Sequence, residues 1–226
     1  MTIAGMLQYL DASNSLSYGG TGTSWWDLTG NQNDATLVGS PTFSTNKFDL
    51  NGSSQYFTAG GGTTYQFGTG SPFTVSVLMS ASDVANGVQG LYAKWNNNMG
   101  GNWVLQLSSG KIVAARNVSP WGYTSTITLE NSRNYLVTYV YTGSAAKVYL
   151  NSVYLGSTTV AATTYSVWPT IGAMWTNGVA SNFFKGSIYG ATVFNTALTD
   201  SQVQNLFIGM QPSTKIVYNA NGGNGT

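Results

Sequence analysis

The chain contains no cysteine and no histidine, and only 7% of its 226 residues are charged. Each absence closes off chemistry. Without a thiol or an imidazole there is no disulfide frame, no cysteine nucleophile and no histidine base. Zinc, haem and iron–sulfur sites lose their usual ligands for the same reason. Eight Lys and Arg stand against seven Asp and Glu, leaving a net charge of +1. That is too little basic surface to displace counterions from phosphates, so nucleic acid is not an expected partner. No apolar run approaches the roughly 18 residues of a membrane span, and no membrane role is expected. Met1 to Leu10 lacks the cationic and then apolar pattern of a secretory signal, so no export signal is expected either.

What is present is core material: 42% of residues are hydrophobic and 13% aromatic. This is ample for a folded chain despite the low charge. Solubility then rests on Ser, Thr, Asn and Gly instead of ionised groups. With 28 Gly and only 5 Pro, punctuation is by flexible turns, and the length suits one large all-β domain.

Alternating apolar residues, the mark of half-buried strands, are the commonest local pattern. Phe73, Val75, Val77 and Met79 share one face opposite Thr74, Ser76 and Ser80. From Asn134 to Tyr141 both faces are apolar, which predicts a central strand. Asn151-Ser152 is placed to turn a hairpin between Ala146–Leu150 and Val153–Leu155, because Asn tolerates the positive φ such a turn needs. Further strands are expected at Met6–Leu10, Ala35–Val38, Lys47–Leu50, Gln55–Thr58, Gly90–Lys94, Trp103–Leu107, Lys111–Ala115, Thr124–Leu129, Thr170–Ala173 and Phe183–Phe194. Many short strands with turns every 8–12 residues or so predict an all-β antiparallel sandwich or jelly roll. One segment differs. Thr199 and Gln202 form a capping box ahead of Val203, Leu206 and Phe207, spaced for one face of a short C-terminal helix. Gly209 and Pro212 are expected to end it. Residues 1–211 therefore read as one domain and 212–226 as a short extension or tail.

The residues also carry a likeness. Tyr9-Leu10-Asp11-Ala12-Ser13-Asn14, Trp25-Trp26-Asp27-Leu28-Thr29-Gly30-Asn31 and Ala35-Thr36-Leu37 open the chain. Phe73 to Val77 and Lys147 to Asn151 follow in order, and Phe184-Lys185-Gly186-Ser187-Ile188, Val193-Phe194-Asn195 and Ala197-Leu198-Thr199 close it. From about Leu7 to Ile208 the sequence resembles concanavalin A-like, laminin-G-like jelly rolls, found in bacteriophage structural proteins and secreted bacterial adhesins. The family pattern W-x-D-L implies Trp25 buried and Trp26 exposed, since neighbours in an extended segment point opposite ways. Asp27 and Asn31 are expected to hold backbone in the turn through Gly30. Two departures matter. Asn51 and Gln55 are neutral where relatives often carry acids, and Tyr189 stands where an Asp often follows Gly186-Ser187-Ile188. Calcium favours several carboxylates, so no calcium site, and no cofactor or metal of any kind, is expected.

Some enzymes share this architecture, notably glucanases, which need two carboxyl groups a few ångströms apart. The single glutamate, Glu130, has no acidic neighbour in strand alternation. No enzymatic activity is therefore expected. Binding remains. Aromatic faces can stack on a sugar ring while amides read its hydroxyls, and three clusters combine the two. They are Trp95, Asn97, Asn98 and Asn102; Trp121 with Tyr123; and Trp168 through Trp175 to Asn177. The resemblance implies a non-catalytic virion surface protein, a bacteriophage head decoration, fibre or tail adsorption module. Its partners would be other virion proteins and neutral glycans, with a homo-oligomer compatible. The alternative is a glycan-binding module of a secreted bacterial adhesin, located outside the cell or on its surface. Lys215-Ile216-Val217-Tyr218-Asn219-Ala220-Asn221-Gly222-Gly223, which resembles the start of small adhesin repeats, speaks for it.

Overall fold

In the computed structural model, residues 3–61, 63–96, 100–116, 122–160 and 166–211 are described. Along them run eighteen strands and a helix. In chain order the strands are β1 (Met6–Asp11), β2 (Ser24–Trp25), β3 (Ala35–Val38), β4 (Thr42–Ser44), β5 (Lys47–Asn51), β6 (Tyr56–Ala59), β7 (Phe73–Ala81), β8 (Val88–Asn96) and β9 (Gly100–Ser108). They continue as β10 (Lys111–Ala115), β11 (Tyr123–Thr124), β12 (Tyr135–Tyr141), β13 (Ala145–Leu150), β14 (Val153–Thr159), β15 (Thr170–Ile171), β16 (Met174–Thr176), β17 (Val179–Ser181) and β18 (Lys185–Phe194). Helix α1 spans Asp200–Met210.

The first sheet has the order β14-β13-β12-β7-β18-β5-β4, with β1 also on β18. β18 is long enough to serve two partners on one side: Lys185 to Ile188 pair with β5, and Gly190 to Phe194 with β1. The second sheet runs β11-β10-β9-β8-β15-β6-β3-β2, and the β16–β17 hairpin joins β8 where Trp175 pairs with Asn96. All neighbours but that last pair are antiparallel, as a jelly-roll sandwich requires. The Asn151-Ser152 hairpin forms as expected, with φ of 49° and 69°.

Between the sheets the core is aromatic. The Trp25 ring lies 4.8 Å from Phe48 and 5.1 Å from Phe57, and Phe73 lies 5.2 Å from Tyr139. Trp25 is fully buried while Trp26 is 53% exposed, following the alternation. Asp27 holds the turn: Oδ1 accepts from the Tyr9 and Thr29 amides and Oδ2 from the Thr29 hydroxyl and Asn33 amide. Asn31 donates to the Met6 and Leu7 carbonyls.

β12 is buried on both faces because its outer side is covered by α1. Thr199 and Gln202 complete the capping box. Two expectations are corrected. The helix runs through Gly209 to Met210 and stops at Gln211, whose extended backbone (φ −62°, ψ 137°) is what the residue before a proline prefers. The strand expected over Thr124–Leu129 covers only Tyr123–Thr124. At Ser125 the amide still donates to the Ile112 carbonyl, but the return bond from the Ile112 amide goes to the Ser125 hydroxyl, which itself donates to the Ile127 carbonyl, so the side chain interrupts the ladder. The expected 212–226 extension lies outside the described residues.

Candidate functional site

Along β8, β9 and β10 alternate side chains enter the core, among them Leu91, Trp103, Leu105, Leu107, Ile112 and Ala114. Their neighbours point outward, and these are apolar too. Ala93, Trp95, Val104, Ala115 and Met174 form a separate cluster with Val113 packed against it. Cross-strand pairing sets them in rows: Ala115, Val104 and Ala93 in one, Val113, Gln106 and Gly90 in the next. Above them opens a groove of about 230 Å³, lined by Val88, Trp95, Val104, Gln106, Val113, Ala115, Met174 and Asn182. None of these is charged.

The β16–β17 hairpin walls the groove, and Gly90 lets it come close. A Cβ on Gly90 would lie 2.6 Å from the Ala173 carbonyl carbon and oxygen and 2.7 Å from Met174 Cγ. The Gly90 amide donates to the Asn182 carbonyl at 2.8 Å, fixing the two segments together. The wall thus delivers Met174 and the Asn182 amide to an apolar floor.

Of the residues expected to bind a ligand, Trp95 lies in this groove, largely buried. Asn97, Asn98 and Trp121 fall outside the described residues. Asn102 is a correction: it is fully buried, donating from Nδ2 to the Phe67 carbonyl and accepting from Arg116 Nη2 through Oδ1. It serves the Arg116 guanidinium, which lies 4.5 Å above the Tyr141 ring and is bound also to the Phe67 carbonyl. Tyr123 is a second correction. It pairs with Ala114, a core position, and its hydroxyl donates to the Leu155 carbonyl at the edge of the opposite sheet. Both side chains are spent holding the sandwich together. Trp175 and Asn177 sit on the hairpin beside the groove. Trp175 is half-buried, and Asn177 is exposed at the turn (φ 54°), where its amide donates to Asn96 Oδ1.

Val104, Gln106, Val113, Met174 and Asn182 were not expected at a site. A signal existed, since β9 and β10 carry apolar residues on both alternations, which a strand facing water would not.

The ionisable groups lie elsewhere. Asp34 Oδ1 accepts from the Asp27 amide at 2.8 Å, bringing together two acids that sequence spacing does not pair. Glu130 is exposed and bound to Arg133 at 3.2 Å. Burial tends to raise the Asp49 pKa, but hydrogen bonds from Ser187 and Lys47, with the Lys47 charge, hold it below the usual carboxylate value. Lys94 is fully buried, and burial pulls its pKa down to about 8. Its Nζ donates to the Val167 carbonyl at 2.6 Å. Among the described residues no three carboxylates gather where a metal could be held.

Residues 51–204, more than half of the chain, match the family described as the concanavalin A-like lectin/glucanases superfamily. The chain belongs to it. No curated protein matches. Among solved structures it is similar to Trypanosoma rangeli sialidase in complex with sialic acid, with a TM-score of 0.69 and 17% identity over 92% of this chain and 33% of that one. The same sialidase as a covalent intermediate with 2,3-difluorosialic acid gives 0.70 and 16% over 93% and 34%. The binding domain of botulinum neurotoxin DC in complex with rat synaptotagmin II gives 0.66 and 13% over 92% and 52%. The chain spans about a third of the sialidase chains and half of the neurotoxin domain.

At these identities the likeness is one of fold, and it bears on two expectations. The reading as a non-catalytic virion surface protein is corrected, because the similar structures are sialidases and a neurotoxin's binding domain. The expectation of no enzymatic role is corrected with it. Sialidase chains captured with their sugar contain this fold, so counting acids in a sequence does not remove the chain from glycan-processing proteins.

Proposed function

We propose that this member of the concanavalin A-like lectin/glucanases superfamily is a glycan-binding module, of the kind a secreted or cell-surface bacterial adhesin carries. The groove on the second sheet holds the sugar. The observation that supports this is the pairing of an apolar floor with the amides of Gln106 and Asn182 in a groove of about 230 Å³. A pyranose has a face of C–H groups and a rim of hydroxyls. Val88 and Val113, the apolar lining residues that keep exposure, suit the face, and the amides offer the hydrogen bonds that hydroxyls need when they leave water. The volume is below the roughly 300–1,000 Å³ of typical ligand pockets, which suits a single sugar residue. With no charge among the lining residues, neutral sugars fit best. The lectins named in the family description agree with a sugar ligand, whereas the sialic acid of the similar sialidases is an anionic sugar that this uncharged lining does not favour.

The test is an array of neutral and sialylated glycans probed with the intact chain and with Val113→Trp, which fills the groove from its partly exposed side. The wild type is expected to hold neutral glycans and the variant to lose them. Gln106→Ala, which removes one amide, should weaken binding about tenfold, the value of one to two hydrogen bonds. Binding that survives Val113→Trp undiminished would place the sugar elsewhere. Assaying the bound glycans for hydrolysis in the same samples asks whether the module also turns them over.

A further inference from the structure

Trp168 is 54% exposed, yet the backbone that carries it is fastened at three successive carbonyls. Val167 O accepts from Lys94 Nζ at 2.6 Å, Trp168 O from Trp175 Nε1 at 2.9 Å, and Pro169 O from the Ala59 amide at 3.0 Å. The donors come from β8, β16 and β6. Pro169 adds its own restriction of φ. Beneath, Trp175 meets Tyr56 edge-on, with centroids 6.2 Å apart and planes at 87°, and Tyr56 lies 5.9 Å from Phe183. Exposed Asn177 is on the adjoining turn. An exposed indole on a slack loop would fold down over apolar neighbours. Here the main chain that carries it is fixed, which preorganises the indole's point of attachment.

We infer that Trp168, with Trp175 and Asn177 beside it, is a second sugar-stacking site, separate from the groove, that takes the C–H face of a neutral pyranose. Side chains alternate along β16, so Met174 enters the groove while Trp175 faces the other way. One hairpin therefore serves two sites. None of Tyr56, Trp168, Trp175, Asn177 or Phe183 carries a charge, which disfavours an acidic or basic partner. The size of the patch decides between a sugar and a protein. One exposed indole with partly buried neighbours falls far short of the roughly 1,200 Å² that a stable protein interface buries, but a single ring covers it. Two sites on one module would raise avidity for a polymer without tightening either site.

The experiment is affinity electrophoresis of the intact chain in gels containing laminarin, hydroxyethyl cellulose, galactomannan or xylan. At least one is expected to retard the wild type. Trp168→Ala should weaken that retardation about tenfold, within the range of a stacking anchor, and Trp168→Phe should recover most of it. The carbonyl bonds of residues 167–169 do not involve the Trp168 side chain, and a thermal melt checks that each variant is folded. In Val113→Trp the share that depends on Trp168 should persist, so failure of the groove reads out separately from failure of this site. Three results would overturn the inference: no retardation of the wild type in any of the four gels, equal retardation of Trp168→Ala, or a Trp168-dependent dimer in sedimentation, which would make the patch a protein contact.

Discussion

On the outer face of the first sheet, α1 lays Val203, Leu206 and Met210 over Leu78, Leu136, Val140 and Phe194. On the outer face of the second, Trp95, Val104, Ala115 and Met174 make a smaller apolar cluster under an open groove. Both faces arise alike, from strands apolar on both alternations. They differ in what lies above. The first is sealed by a helix whose stripe matches it and whose Asp200 accepts a hydrogen bond from the Tyr149 hydroxyl at 2.7 Å. The second is walled by a hairpin, and solvent reaches the groove through its partly exposed lining, Val88, Gln106, Val113 and Asn182. The apolar cluster beneath the groove is itself almost wholly buried, with Trp95 and Val104 each 3% exposed, so what distinguishes this face is the groove beside it and not a bare apolar surface. The sealed face accounts for stability, and the groove on the second is where glycan binding is proposed.

Removing the seal should have the largest effect. Leu206→Ala leaves a cavity between α1 and the first sheet, and urea unfolding should show a loss of about 2–5 kcal/mol with glycan binding at the groove retained. Should binding vanish while the folded fraction stays high, the two faces are coupled, and the division of labour between them fails.

Gly90→Ala tests the other face. Its Cβ would meet Ala173 backbone at 2.6 Å, so the hairpin must move. A cost of about 1–3 kcal/mol is expected from overpacking, together with weaker binding at the groove. Stability lost without any change in binding would mean the hairpin does not shape the site.

The smallest effect should appear in pH dependence. The folded Lys94 pKa is lowered to about 8, against 10.5 in the unfolded chain. Between these values the unfolded chain holds a proton that the folded chain has released, so stability should rise with pH. Above about pH 10 the opposite sign takes over. Burial raises the Tyr65, Tyr92 and Tyr139 pKa values, so these stay neutral in the folded state while unfolded tyrosines ionise. Thermal melts from pH 7.5 to 9.5 should therefore climb in the wild type and flatten in Lys94→Met. A slope that persists in the variant would assign it to another group.

Much of the architecture is legible in the sequence because it is local. Alternation over Phe73 to Val77, the doubly apolar run to Tyr141, the Asn151-Ser152 turn and the Thr199–Gln202 cap each depend on residues a few positions apart. The roles of Asp27 and Asn31 follow from turn chemistry, while burial of Trp25 instead of Trp26 came from the family resemblance, alternation saying only that the two point opposite ways. The site was far less legible. Aromatic and amide residues in one stretch suggested a ligand loop, but Asn102 turned inward to Arg116 and Tyr123 to Leu155. Gln106 and Asn182, far apart in sequence, met across the groove. Short pieces such as β2, β4, β16 and β17 gave no periodic signal over two or three residues.

By itself, then, the sequence determined the class of fold, the capped helix, and the low charge of the surface the chain offers. Composition and short-range periodicity are properties of a chain before it folds. Only the tertiary structure decided which apolar face α1 covered and beside which a groove formed. It alone set the close approach of the hairpin at Gly90, and raised Trp168 on carbonyls tied to three different strands. Those outcomes depend on contacts between residues distant in the chain, whose energies exist only once the sheets have paired.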